Sequence, residues 1–397
     1  MEDLLFLSQR IPYPPDKGDK IRSFHILRHL AERYRVHLGC FFDDPKDERY
    51  IAPLRAVCAG VFAQPLPAGR KRIRALGAFA RATSFSEACF RDARMTRWVA
   101  ETLRANRITK AFVFSSAMAP YVCEKPMEKI LDVVDVDSEK WRAYAAGSSW
   151  PKSWVYAREA AMLLSLERRS AALFDKSLFV SQAEADVFLA RAPEAAGRVL
   201  AMGNGVDTDY FDPARKFQSP YGSEVEAVVF TGTMNYRPNI EAVTYFARAV
   251  LPGIRRRRPD AEFWIVGAGP TPAVNALAGA GVKVTGQVED VRPFLAHAAC
   301  VVAPLKIARG VQNKVLEAMA MARPVVASPE AREGIDARPD DQLLIAGTSE
   351  AFGQAVCAVL AGNQPELGAR ARSYVLAHHG WRHNLELLDT LFSVSAV

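Results

Sequence analysis

Short β-rich runs alternate with helical periodicity along most of the chain. Leu4, Leu5, Phe6 and Leu7 form an apolar run fit for a strand. After the loop 8–18, apolar residues Ile21, Phe24, Leu27, Leu30 and Tyr34 recur every three or four positions, as on one face of a helix. Residues 36–41 read as the next strand, and 111–114, 129–136 and 177–180 as later ones. The rhythm restarts at Ala227-Val228-Val229-Phe230, a run that suits a strand buried on both faces. A helix at 239–249 follows, then strands at 262–266, 282–284 and 299–302, a helix at 312–321 and a strand at 324–327. This alternation predicts an α/β fold of parallel sheets covered by helices. The second start predicts a second domain, beginning after the turn-rich linker Asn204-Gly205-Val206-Asp207.

Length supports two domains, because 397 residues exceed one ordinary core. Half the residues are apolar and 24% are charged, the balance of a soluble globular protein. No apolar run reaches the roughly 18 residues of a membrane span, and Met1-Glu2-Asp3 does not begin a secretory signal. Six scattered cysteines without a Cys-x-x-Cys pair read as reduced thiols, so a cytoplasmic location is expected. His25 and His29 have His-x-x-x-His spacing; they read as a solvated helix face, and no metal is expected there.

A net charge of +7 narrows the partners to nucleic acid, an anionic membrane or phosphorylated ligands. No nucleic-acid module or aromatic-basic interleaving is present, so nucleic acid is not expected as a partner. The run Arg70-Lys71-Arg72-Ile73-Arg74 reads equally as a membrane-surface contact and as a solvated helix face. Arg255 to Arg258 read as the solvated end of a helix.

Several tracts together resemble the retaining glycosyltransferases of the GT-B fold, family four (group 1). They are Val180-Ser181, Gly203-Asn204-Gly205-Val206-Asp207, Phe230-Thr231-Gly232, Ile265-Val266-Gly267 and Gly286-Gln287-Val288-Glu289-Asp290. Leu316-Glu317-Ala318-Met319-Ala320, followed by Arg323-Pro324-Val325-Val326, is the most specific. The stretches 132–141 and 309–314 are similar to a subgroup associated with the exosortase/PEP-CTERM system and exopolysaccharide biosynthesis. The resemblance implies two Rossmann-like domains with parallel sheets facing a deep interdomain cleft. It implies an acceptor-binding domain over 1–203, a nucleotide-sugar-binding domain over 204–378, and a C-terminal helix over 379–397 crossing back to the first.

A nucleotide-sugar presents a diphosphate, a ribose and a base. The strand at 299–302 leads into a helix expected to open at about Gly310, where backbone N–H groups and the helix dipole suit phosphate. Arg309 and Lys314 add full positive charge, and Gly310, Lys314 and Glu317 would share one helix face. Glu317 then suits the ribose hydroxyls. The alternative is an ordinary amphipathic helix with Val315 and Ala318 inside. Where the family carries a sugar-contacting Glu, this chain has Arg309; where the family has an Arg and a Lys after the first strand of this domain, it has Thr233 and Asn239. Arg237 stands nearby, and Gly232 and Gly267 complete the expected donor set. Gly267-Ala268-Gly269-Pro270 lacks the third glycine of a dinucleotide fingerprint, so no nicotinamide or flavin cofactor is expected.

On the acceptor side, Lys17, Gly18, Lys20 and Arg22 follow the first strand and suit an acceptor phosphate; a solvated helix start is the alternative. Asp135, Asp137 and Ser138 are read at a strand's end, where open sheets place ligands, with the two aspartates on one face by alternation. Family members often carry a His near the position of Asp137; the resemblance therefore leaves the proton acceptor open, with Asp137 and Asp135 as candidate catalytic carboxylates and the donor phosphate as the alternative. These readings predict transfer from a nucleotide-sugar to a lipid-linked or growing glycan, with retention and without metal. A nucleotide-sugar 2-epimerase and a catalytically silent nucleotide-binding scaffold are the alternatives.

Overall fold

A computed structural model describes residues 1–15, 18–66, 77–78, 83–279, 281–308 and 311–392. The basic run 70–74 lies outside these residues. The chain divides into one unit of Met1–Gly203 with Leu385–Val397, and a second of Asn204–Asn384.

In the first unit, strands β1 (Asp3–Ser8), β2 (Arg35–Phe42), β3 (Gly60–Pro65), β4 (Lys110–Phe114), β5 (Glu128–Val134), β6 (Lys176–Phe179) and β7 (Val199–Ala201) pair in the order β3-β2-β1-β4-β5-β6-β7. Every pairing is parallel. Leu4 to Leu7 are fully buried, as a strand covered on both faces requires. The sequence pattern misses β3, whose Gly60 and Gln64 interrupt the apolar run, and the three-residue β7. The helix Gly18–Ala31 buries His25 and His29 to 9% and 8% exposure, which corrects the expectation of a solvated face. The cause is the last helix, Trp381–Leu391: Asp389 Oδ1 lies 2.8 Å from His29 Nε2, and the Phe392 ring meets Tyr34 at 5.8 Å.

The second unit repeats the plan with β8 (Glu226–Thr231), β9 (Ala261–Val266), β10 (Val282–Gly286), β11 (Cys300–Ala303), β12 (Val325–Ala327) and β13 (Leu344–Ile345). Their order is β10-β9-β8-β11-β12-β13, again all parallel. The expected helix 239–249 begins at Arg237 and runs as Arg237–Tyr245, through a π-turn at Phe246–Val250, into Leu251–Arg255. Arg258, expected in solvent, instead pairs with Glu226 of β8 and donates to Leu360 O. Among the described residues no helix is long and apolar enough to cross a membrane.

Both sheets reverse their winding once, between β1 and β4 and between β8 and β11. At such a switch point the loops leaving the strand C-termini diverge and open a crevice for ligands.

Candidate functional site

In the second unit the switch point gathers the expected donor residues. Gly232 follows β8 with φ +153°; a Cβ there would stand 2.8 Å from Asn239 Nδ2 and 3.2 Å from Lys314 Nζ. Gly267 follows β9 with φ +148°, and a Cβ there would overlap the Gly232 carbonyl oxygen. Only glycine lets these two turns meet.

The helix after β11 starts at Asn313, not at Gly310. Lys314 and Glu317 are therefore one turn apart on it, and Gly310 precedes it; Arg309 and Gly310 themselves lie outside the described residues. Val315, Leu316 and Ala318 are buried and fix the helix's inner face, while Lys314 and Glu317 are half-buried at its margin. Lys314 Nζ donates to Asn239 Oδ1 at 2.6 Å and sits 4.3 Å from the Phe230 ring centroid. Asn239 Nδ2 in turn donates to the Thr233 carbonyl at 2.9 Å. Asn239 thus orients the ammonium without neutralising it, and the ring face adds a second uncharged attraction.

Burial lowers Lys314 to about 8, and the field of Glu317 opposes the shift. Burial raises Glu317 to about 7, opposed by Lys314. The helix therefore presents, beside the switch point, a cation without an ion-pair partner among the described residues and a carboxylate one turn on whose field it feels. Arg237 does not join them; it is exposed and pairs with Glu241 at 2.7 Å.

Tyr210 lies within the field of Glu317 and joins Asp290, the end of one of the resembling tracts, to Arg292; the sequence pattern does not announce Tyr210 or Arg292. Arg292 forks onto Asp290 at 2.7 and 3.0 Å, and its guanidinium lies 3.8 Å from the Tyr210 ring centroid. Burial, then Asp290 and more weakly Glu317, raise the Tyr210 hydroxyl. Asp290 closes the tract that begins at Gly286, but nothing in its spacing announces a partner 80 residues earlier.

The first unit places its candidates differently. Arg22 is 1% exposed and grips Asp132 with Nε to Oδ2 at 2.7 Å and Nη2 to Oδ1 at 3.1 Å, while Nη1 donates to Met202 O. Lys20, 2% exposed, reaches Asp47 at 3.1 Å. Neither presents a free cation at a solvated helix start. Gly18 opens the helix with no atom within 4 Å of an added Cβ, and Lys17 lies outside the described residues.

β5 ends at Val134, so Asp135 and Asp137 do not alternate along a strand. Val134 has φ +72° at a register shift against β6, a conformation that strains a β-branched residue. The chain turns there, and Asp137 opens the helix Asp137–Ala146. Two carboxylates clamp the turn: Glu184 Oε2 accepts from Val136 N at 2.8 Å, and Glu167 accepts from Ser138 N at 3.1 Å and Ser138 Oγ at 2.6 Å. Ser138 is consequently committed inside the fold. Burial, Glu184 and Asp137 push Asp135 up to about 6, and burial also raises Asp137, against the pull of Lys140 at 3.7 Å.

Residues 226–362 match the family model described as glycosyl transferases group 1. Comparison of the sequence with curated proteins gives no match. Among solved structures, the chain is similar to sucrose-phosphate synthase from Thermosynechococcus elongatus at 15% identity and TM-score 0.67, covering 98% of each chain. It is similar to Anabaena HepE in complex with UDP and glucose at 14% identity and TM-score 0.66, covering 98% of this chain and 99% of that one. WaaG, a glycosyltransferase involved in lipopolysaccharide biosynthesis, matches at 14% identity and TM-score 0.64, covering 98% and 100%. The fold is α/β of the GT-B type, two units of parallel-stranded sheet. The match to a group 1 glycosyltransferase model thus falls on residues 226–362, in the second unit, and the chain as a whole shares the GT-B fold of these glycosyltransferase structures.

Proposed function

We propose that the chain moves a sugar from a nucleotide-sugar donor to a lipid-linked or growing exopolysaccharide acceptor, with retention and without a metal. The observation that carries the donor half is Lys314: a desolvated ammonium held by a neutral amide, with no carboxylate in ion-pair range among the described residues. A departing nucleoside diphosphate gains negative charge as the glycosidic bond breaks. A fixed cation in a low-dielectric setting stabilises that charge more than the ground state. In this reading Gly232 and Gly267 let backbone approach the donor, Lys314 and Arg309 hold the diphosphate, and Glu317 accepts from the ribose hydroxyls. No divalent ion is needed for the leaving group.

The first unit takes the acceptor. The strained Val134 turn presents Asp135 and Asp137, and backbone strain of this kind, about 1–3 kcal/mol, persists where the surroundings impose it. Asp137 accepts or orients the acceptor proton, with the donor phosphate able to share that role. Retention and the exopolysaccharide, PEP-CTERM-linked context rest on the resemblance of the sequence tracts. A glycan acceptor carried on lipid implies work at the cytoplasmic face of a membrane, and we include peripheral contact with an anionic surface in the proposal.

The test is product analysis after exhaustive chelation, with the anomer read by NMR. A transferred sugar keeping the donor's anomeric configuration supports the reading. A strict requirement for magnesium or manganese, an inverted product, or an epimerised sugar from donor alone overturns it.

A further inference from the structure

Among the described residues the most exposed aromatic side chain is Trp150, at 81%. Trp154 is 57% exposed and Tyr144 is 49%. All three lie within one turn of the tip of a helical hairpin, formed by Asp137–Ala146, the connection 147–151 and Lys152–Leu173. Trp141, Tyr144 and Tyr156 meet one another along the hairpin, with ring centroids 6.0, 5.4 and 6.2 Å apart. Trp150 is left outside that cluster.

The stretch from Lys140 to Arg158 holds three of the chain's six tryptophans, two tyrosines, Lys140, Arg142, Lys152 and Arg158, and no aspartate or glutamate. Lys140 and Arg142 meet Asp137 and Glu139 at the hairpin's base, and Arg158 donates to the Ala78 and Thr83 carbonyls. Lys152, at the tip between Trp150 and Trp154, is exposed and has no ion-pair partner among the described residues. Indole rings with an apolar body and an N–H edge settle at the boundary between lipid headgroups and acyl chains. A lysine among them favours an anionic leaflet.

We propose that the 144–154 hairpin tip is the surface by which this enzyme rests on an anionic lipid bilayer, with Trp150 and Trp154 in the interfacial layer and Lys152 on headgroup phosphates. The assignment rests on the membrane contact included in the proposed function and gives it a surface distinct from the basic run 70–74.

The test is co-sedimentation of the full chain with vesicles of equimolar phosphatidylglycerol and phosphatidylcholine, and with phosphatidylcholine alone. Wild type is expected to sediment with the anionic vesicles and less with the neutral ones, weakening as salt screens Lys152. The Trp150→Ala/Trp154→Ala double variant should lose about tenfold or more in partition coefficient. Its melting curve and nucleoside diphosphate affinity should match wild type, because these side chains are exposed and stand outside the donor site. Lys152→Glu should remove the preference for anionic vesicles. If wild type binds no vesicle, the membrane reading itself fails. If the double variant binds like wild type while neutralising Arg70, Lys71, Arg72 and Arg74 releases the protein, the membrane reading stands and this surface assignment is overturned. A tryptophan fluorescence change with soluble oligosaccharide but not with vesicles also overturns it, in favour of a glycan surface.

Discussion

Replacing Lys314 with methionine should separate function from stability. The ammonium is half-buried and lacks an ion pair, and burial lowers it from 10.5 to about 8. A lysine depressed in the folded state adds stability only above its unfolded value, and that stability is lost as pH falls through the folded value. Below about 8 the charged side chain therefore works against folding; between about 8 and 10.5 wild type should gain stability as pH rises. One pH unit between the folded and unfolded values corresponds to about 1.4 kcal/mol, so the full difference would be about 3 kcal/mol. Solvent reaching a half-buried group reduces this to about 1–2 kcal/mol. Methionine keeps the stem but strands Asn239 Oδ1, which costs about 0.5–1.5 kcal/mol at every pH. The clean readout is thus the difference in pH dependence, not stability at one pH. Urea unfolding of wild type and Lys314→Met at pH 7 and pH 10 should show wild type gaining about 1–2 kcal/mol more than the variant. The variant should at the same time lose donor binding. Parallel pH dependence in the two proteins would refute the desolvated cation.

Asn239→Asp would set a carboxylate against Lys314 Nζ, now 2.6 Å from the amide oxygen, and cancel its charge; donor diphosphate affinity should fall about tenfold or more, and further than in Asn239→Ala, by titration calorimetry. Breaking the buried Arg22–Asp132 pair with Arg22→Met leaves a carboxylate alone in the core, and urea unfolding should show a loss of about 3–5 kcal/mol. The free enzyme's kcat/KM should rise as Glu317 ionises near 7 and fall as Lys314 deprotonates near 8, and Lys314→Arg should remove the alkaline limb.

The fold was legible where a strand is long and uniformly apolar, as at Leu4 to Leu7 or Ala227 to Phe230, because burial on both faces writes itself as an unbroken run. It was not legible at β13, two residues long, or at β3, where Gly60 and Gln64 break the run. At the second unit's switch point, phosphate chemistry and tract resemblance single out Gly232, Gly267, Asn239, Lys314 and Glu317, which the structure places near one another. Phe230 was missed because a strand phenylalanine reads as core, and Arg292 because its partner Tyr210 is distant in sequence. The acceptor side misled more. Arg22 and Lys20 look like solvated cations by spacing, yet each is consumed by a carboxylate that only the tertiary fold supplies. The Asp135–Asp137 alternation failed because Val134 adopts a left-handed turn that no side-chain pattern announces.

The central claim is that the second unit's switch point holds the donor diphosphate through Lys314. Isothermal titration of the full chain with UDP, GDP and ADP, in the presence of a chelator, tests it most directly. One nucleotide is expected to bind wild type without metal, and Lys314→Ala to weaken it by about 1–3 kcal/mol, with melting temperature held or raised. Equal affinity of wild type and Lys314→Ala for that nucleotide would contradict it.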